Sequence, residues 1–145
     1  MMQSDGNGPQ KPDKPKVLLI EDDLPTALSL ANVLTQGGCV VKVATDEKKA
    51  IQLVREGQFD LVALDPELQN GGFETFVRLR QIPEILAIPI VFVARSSNET
   101  NWRRGLELGP KDYIEKPFDG PAFMRRLLSH IKPKSQPGLT SNENC

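Results

Sequence analysis

Two apolar runs of this sequence stop on acids. Val17-Leu18-Leu19-Ile20 runs into Glu21-Asp22-Asp23, and Leu61-Val62-Ala63-Leu64 runs into Asp65. A third short segment, Asp112-Tyr113-Ile114-Glu115, ends on Lys116, which Pro117 follows. Carboxylates gathered within a few ångströms repel, raise one another's pKa, and sit together stably when a cation or a proton lies among them. With no His or Cys beside them, the ion they suit is hard and divalent, Mg2+ or Mn2+, which commonly takes one or two carboxylates plus phosphate oxygens. That selects phosphoryl chemistry: an aspartate acts as nucleophile and forms an acyl phosphate while the metal neutralises charge on the transferring group. Asp65 is the candidate acceptor, and Lys116 the candidate cation for the phosphoryl oxygens. Each acid taken alone has a plainer reading, since strand ends often meet water in acids and Asp22 or Asp23 can support the start of a following helix. The set, with a lysine on a third strand end, favours the chemical one.

The elements that must position these groups alternate. After the strand Val17 to Ile20, Leu24 to Gln36 carries Leu24, Ala27, Leu28, Ala31 and Leu34 at helical spacing, with Pro25 in the first turn and Gly37-Gly38 at the stop. Cys39 to Ala44 reads as a second strand, and Asp46 as the cap of a helix that buries Ala50, Ile51 and Val54 and stops at Gly57. Phe59 to Asp65 is the third strand. The loop Pro66 to Gly72 leads to a helix with Phe73, Phe76, Val77 and Arg80 on one side, halted before Pro83. Pro89 opens the strand Ile90 to Val93. A weaker helix from about Asn98, expected to be the most mobile element, has Trp102 and Leu106 as its anchors and ends at Gly109-Pro110. Asp112 to Glu115 is the last strand, and Asp119 caps a helix burying Phe123, Leu127, Leu128 and Ile131. Strands alternating with helices demand right-handed crossovers, hence an α/β, doubly wound, five-stranded parallel sheet with five helices on both faces. The expected order is 2-1-3-4-5, with the site beyond the carboxyl ends of strands 1 and 3.

The segments Val17-Leu18-Leu19-Ile20-Glu21-Asp22-Asp23, Asp60-Leu61-Val62-Ala63-Leu64-Asp65 and Tyr113-Ile114-Glu115-Lys116-Pro117-Phe118 resemble, in order, the three hallmark blocks of the receiver domain of two-component response regulators. The resemblance covers residues 16–132 and implies a flavodoxin-like, chemotaxis-regulator-like fold. It implies that Asp65 takes a phosphoryl group from a sensor histidine kinase or phosphotransfer protein. Glu21, Asp22, Asp65 and the backbone carbonyl of Glu67 would hold Mg2+ (or Mn2+), Asp22 directly and Glu21 through water. Lys116 would contact the phosphoryl group, aimed by a cis peptide before Pro117, and Tyr113 would be the switch aromatic. Three departures stand out. Ala94 replaces the Thr or Ser that ends the fourth strand and is followed by Arg95, itself either a phosphoryl clamp or a solvated residue. The loop after Asp65 is one residue short, with Phe73 where the glycine is usual and Gly71-Gly72 before it. Gln69 replaces a usual proline, while Pro66 adjoins Asp65 and removes a backbone N–H.

With 145 residues the chain has room for one domain. Residues 1–15 and 133–145, rich in Pro, Gly, Ser and Asn, read as disordered tails around a domain at 16–132. A net charge of −1 nominates neither nucleic acid nor membrane. No apolar run approaches the roughly 18 residues of a membrane span. Cys39 and Cys145 are poorly placed for a disulfide, which fits a cytoplasmic location. His130, the single histidine, has no partner suggested by the sequence. Two functions remain open. One is a stand-alone phosphorelay receiver, a signalling switch with autocatalytic phosphoryl transfer, acting through a downstream protein without direct DNA binding. The resemblance implies a partner or homodimer surface on the last two helices and fifth strand, where Arg103, Arg104, Lys111, Asp112, Arg125 and Arg126 lie; the plainer reading of these charges is a solvated face. The other is a pseudo-receiver interaction module that keeps the acids without useful switching. A flavodoxin-like cofactor binder is disfavoured, because Glu21-Asp22-Asp23 would repel a phosphate after the first strand.

Overall fold

The computed structural model describes residues 14–94, 99–115 and 119–131. Both tails lie almost wholly outside these, as do Arg95, Lys116 and Pro117. The chain alternates as β1 (Lys16–Ile20), α1 (Leu24–Gln36), β2 (Val40–Ala44), α2 (Glu47–Glu56), β3 (Leu61–Leu64), α3 (Gly72–Leu79), a 3-10 turn (Pro83–Ile85), β4 (Ile90–Ala94), α4 (Glu99–Leu108), β5 (Asp112–Glu115) and α5 (Gly120–Leu128). All pairings are parallel, in the order β2-β1-β3-β4-β5. The expected doubly wound sheet is therefore the observed one.

The central strands are buried along their length, as helices on both faces require: β3 and β4 are covered at every residue. One face packs Ile20, Leu64, Phe92 and Tyr113 against α2, α3 and the 3-10 turn. The other packs Leu19, Leu61, Ala63 and Val93 against α1 and α5. On the first face Phe92 is the hub, with ring centroids of Phe76 at 5.2 Å, Phe73 at 5.3 Å and Tyr113 at 5.8 Å. Asp46 and Asp119 cap their helices as expected, each carboxylate accepting from the amide three residues on.

Four helices present different faces from those read in the sequence. In α1 the buried residues are Ala27, Leu30 and Leu34, whereas Leu24 and Leu28 are exposed. In α3 Thr75 and Leu79 join Phe73 and Phe76 inside, while Val77 and Arg80 point outward. Trp102 and Leu106 are not anchors: both lie toward solvent on α4, whose inward contact is made by Gly105. In α5 Met124 takes the buried place expected of Leu128, which is exposed.

Candidate functional site

Register brings the acids together. β1 pairs with β3 up to Ile20↔Leu64, so the next residue of each strand is Glu21 or Asp65. The Asp65 amide donates to the Ile20 carbonyl at 3.0 Å, and the Glu21 amide to Ala44 of β2 at 3.0 Å. Both side chains are about 1% exposed, and Asp22 is half-buried. Glu21, Asp22 and Asp65 each offer a carboxylate oxygen within 4.8 Å of the others. Three ionised carboxylates so placed repel by on the order of 3 kcal/mol per pair at an effective dielectric constant of about 20. The donor set, oxygen only and already gathered, fits a hard divalent cation.

The third acid of the first run has a separate task. Asp23 is the N-cap of α1: its carboxylate accepts from the Thr26 amide at 3.1 Å and from the Thr26 hydroxyl. The plainer reading of the run thus holds for Asp23, and Glu21 and Asp22 face the pocket. Glu21 accepts from the Asp23 amide at 3.2 Å.

The loop after Asp65 folds back onto the acids. Asp65 Oδ1 accepts from the Glu67 amide at 2.8 Å, and Asp22 Oδ2 from the Gln69 amide at 2.8 Å. Leu68 tucks into the core, and Gly71 turns the chain at φ 93° with its amide on the Leu68 carbonyl. Gly72 then opens α3 against the backbone of Asp65 and Pro66. A Cβ there would lie 2.3 Å from the Asp65 carbonyl oxygen and 2.6 Å from Pro66. The loop, expected to be one residue short, delivers a glycine to this close approach. The cross-loop bond from Gln69 to Asp22 was not foreseen, because a backbone donor carries no signature of residue type.

Tyr113, on β5, points inward and is 5% exposed. Burial, with the charges of Glu67, Glu115 and Asp65, pushes its phenol up to about 12. Among the described residues its hydroxyl has no hydrogen-bond partner. Ala94 is fully buried at the end of β4 and supplies no hydroxyl to the site. His130 does have a partner: its Nε2 lies 2.9 Å from Asp112 Oδ2. Asp112 also takes a two-pronged bond from Arg126, at 2.6 and 2.7 Å, so this charged face is partly satisfied within the chain.

Comparison with known families matches residues 17–128 to the response regulator receiver domain. The chain belongs to this family. It is similar to AfsQ1 of Streptomyces coelicolor, a transcriptional regulatory protein, at 35% identity over 81% of this chain and 52% of that one. It also resembles a probable cyclic di-GMP phosphodiesterase of Vibrio cholerae, at 29% identity over 88% of this chain and 29% of the relative. It thus spans about half or less of the length of these relatives. Among solved structures, the receiver domain of HemR from Leptospira biflexa shares 32% identity, with a TM-score of 0.70 over 85% of this chain and 98% of that one. The chemotaxis protein CheY4 of Vibrio cholerae, at 21% identity and a TM-score of 0.75 over 82% of this chain and 100% of that one, supports the fold. No helix among the described residues is long and apolar enough to cross a membrane.

Proposed function

We propose that the chain is a phosphorelay receiver that accepts a phosphoryl group on Asp65 from a sensor histidine kinase or phosphotransfer protein and signals through a protein partner. The observation that carries this reading is the convergence of Glu21, Asp22 and Asp65 within 4.8 Å in a chain of the receiver family. A carboxylate oxygen of Asp65 attacks the phosphorus of a phosphohistidine. An O–P bond forms, the N–P bond breaks, and the imidazole leaves with its electron pair and takes up a proton. Glu21 and Asp22, with the carbonyl of Glu67, would hold Mg2+ (or Mn2+), which supplies neutralisation of charge on the transferring group. Before transfer, the Glu67 amide fixes Asp65 Oδ1 at 2.8 Å and so orients the nucleophile. Lys116 is the proposed cation for the phosphoryl oxygens, and the face of α4, β5 and α5 the proposed partner and homodimer surface.

A second reading, a pseudo-receiver with weak switching, is favoured by Ala94, buried where the family places a hydroxyl. The two readings separate on chemistry. Incubation with a small acyl phosphate and Mg2+ should add one phosphoryl mass to the wild-type protein, and Asp65→Asn should remove that adduct. Absence of the adduct, together with no binding of beryllofluoride, would exclude the acceptor role.

A further inference from the structure

Gly105 lies inside α4 and faces Tyr113, the proposed switch aromatic; glycine there costs helical stability, which its lack of a side chain can offset. A Cβ on Gly105 would stand 2.6 Å from Tyr113 Cε2 and 2.7 Å from Cδ2, and 3.4 Å from Phe73 Cε1. The ring of Tyr113 therefore lies closer to this backbone than a Cβ would ordinarily allow. On its other side it meets Phe92 in an edge contact at 5.8 Å between centroids.

Neither backbone has obvious room to yield. The Tyr113 amide donates to Asp112 Oδ1 at 2.9 Å, Arg126 Nη2 donates to the Tyr113 carbonyl at 3.3 Å, and β4 fixes its register opposite Phe92. On the α4 side, Arg104 spans to Glu74 of α3 at 2.9 Å and lies over the Phe73 ring at 4.6 Å. A Cβ at Gly105 would meet ring atoms of Tyr113 and Phe73, with no backbone atom among its three nearest neighbours.

We infer that Gly105, with Phe73 and Phe92, forms a socket that seats Tyr113 inward whether or not Asp65 carries a phosphoryl group, so that packing of α4 sets the position of this ring. The inference rests on the receiver reading for its importance and concerns its regulation: the surface a partner meets is preset, and Ala94 brings no hydroxyl to link it to the acceptor.

The chain has a single tyrosine, so 3-fluorotyrosine gives one 19F resonance that reports this ring alone. In the 145-residue chain that resonance should be shielded from solvent, with no H2O-to-D2O shift, both without and with beryllofluoride and Mg2+. Gly105→Ala should move it to a solvent-exposed position. In addition, Gly105→Ala should lower the melting temperature of the wild type but raise it in a Tyr113→Ala background, where only the 3.4 Å contact with Phe73 remains and the helix gains a better helix former. The inference is overturned by a solvent-exposed resonance in the free wild type, by exposure on adding beryllofluoride, by a shielded resonance in Gly105→Ala, or by equal destabilisation in both backgrounds. Bound beryllofluoride gives its own 19F signals, so failure of the acceptor reading is seen separately: it leaves the shielded resonance and the effect of Gly105→Ala unchanged.

Discussion

Burial alone would raise the carboxyl of Asp112, yet hydrogen bonds from Arg126, His130 and the Tyr113 amide outweigh it and hold the group down at about 2. Its folded pKa is thus below the ordinary value of 3.8, so the unfolded chain binds the proton more tightly. The resulting stability is present above pH 3.8 and is lost as pH falls toward 2. Asp112→Asn should therefore cost on the order of 2 kcal/mol at neutral pH, with the difference from wild type closing in acid, as urea titrations across pH would show. At Ala94 the expected gain is of function. Ala94→Thr restores a hydroxyl at the end of β4, and one charge-assisted hydrogen bond to a phosphoryl oxygen is worth about 1.5 to 3 kcal/mol. In that variant, unlike the wild type, the environment of Tyr113 should respond to beryllofluoride; unchanged NMR shifts would count against the coupling.

Among the elements, α3 and its loop are the most constrained by the site. Gly72 admits α3 to the backbone of Asp65 and Pro66, where any side chain meets main-chain atoms that cannot rotate away. Gly72→Ala should destabilise the fold by about 1 to 3 kcal/mol in chemical denaturation and lower the yield of the Asp65 adduct under fixed conditions. Retention of both stability and yield would show that the loop relaxes freely. Helix boundaries were legible in the sequence because capping and stop residues have local chemistry: Asp46, Gly57 and Asp119 act where they stand. Helix faces were less so. The stripe expected in α1 and the one observed share Ala27, Leu34 and the partly buried Ala31, and differ by exchanging Leu24 and Leu28 for Leu30. A helix with apolar residues around much of its circumference has a spacing but no unique phase, which only the partner surface supplies. On α4 the large residues Trp102 and Leu106 drew attention from Gly105, whose value lies in the volume it leaves to another residue.

At the scale of the whole molecule, the parallel sheet and its order followed from the alternation of elements, and the acidic pocket from acids that end β1 and β3. Those signals are strong because each strand end is fixed by register to a neighbour. What the sequence did not disclose are pairings between distant positions, such as Asp112 with His130 or Gln69 with Asp22, which depend on crossovers bringing chain segments side by side. The resulting molecule joins an acidic pocket at the carboxyl ends of the strands, the proposed acceptor site, to an aromatic, the proposed switch residue Tyr113, seated in the core. The proposed chemistry at Asp65 and the proposed readout at Tyr113 can then be tested separately. The most direct test of the first is intact mass after exposure to a small acyl phosphate and Mg2+. A single added phosphoryl group on the wild type, absent from Asp65→Asn, is the expected result; an unmodified wild type, or an adduct that persists in Asp65→Asn, would contradict it.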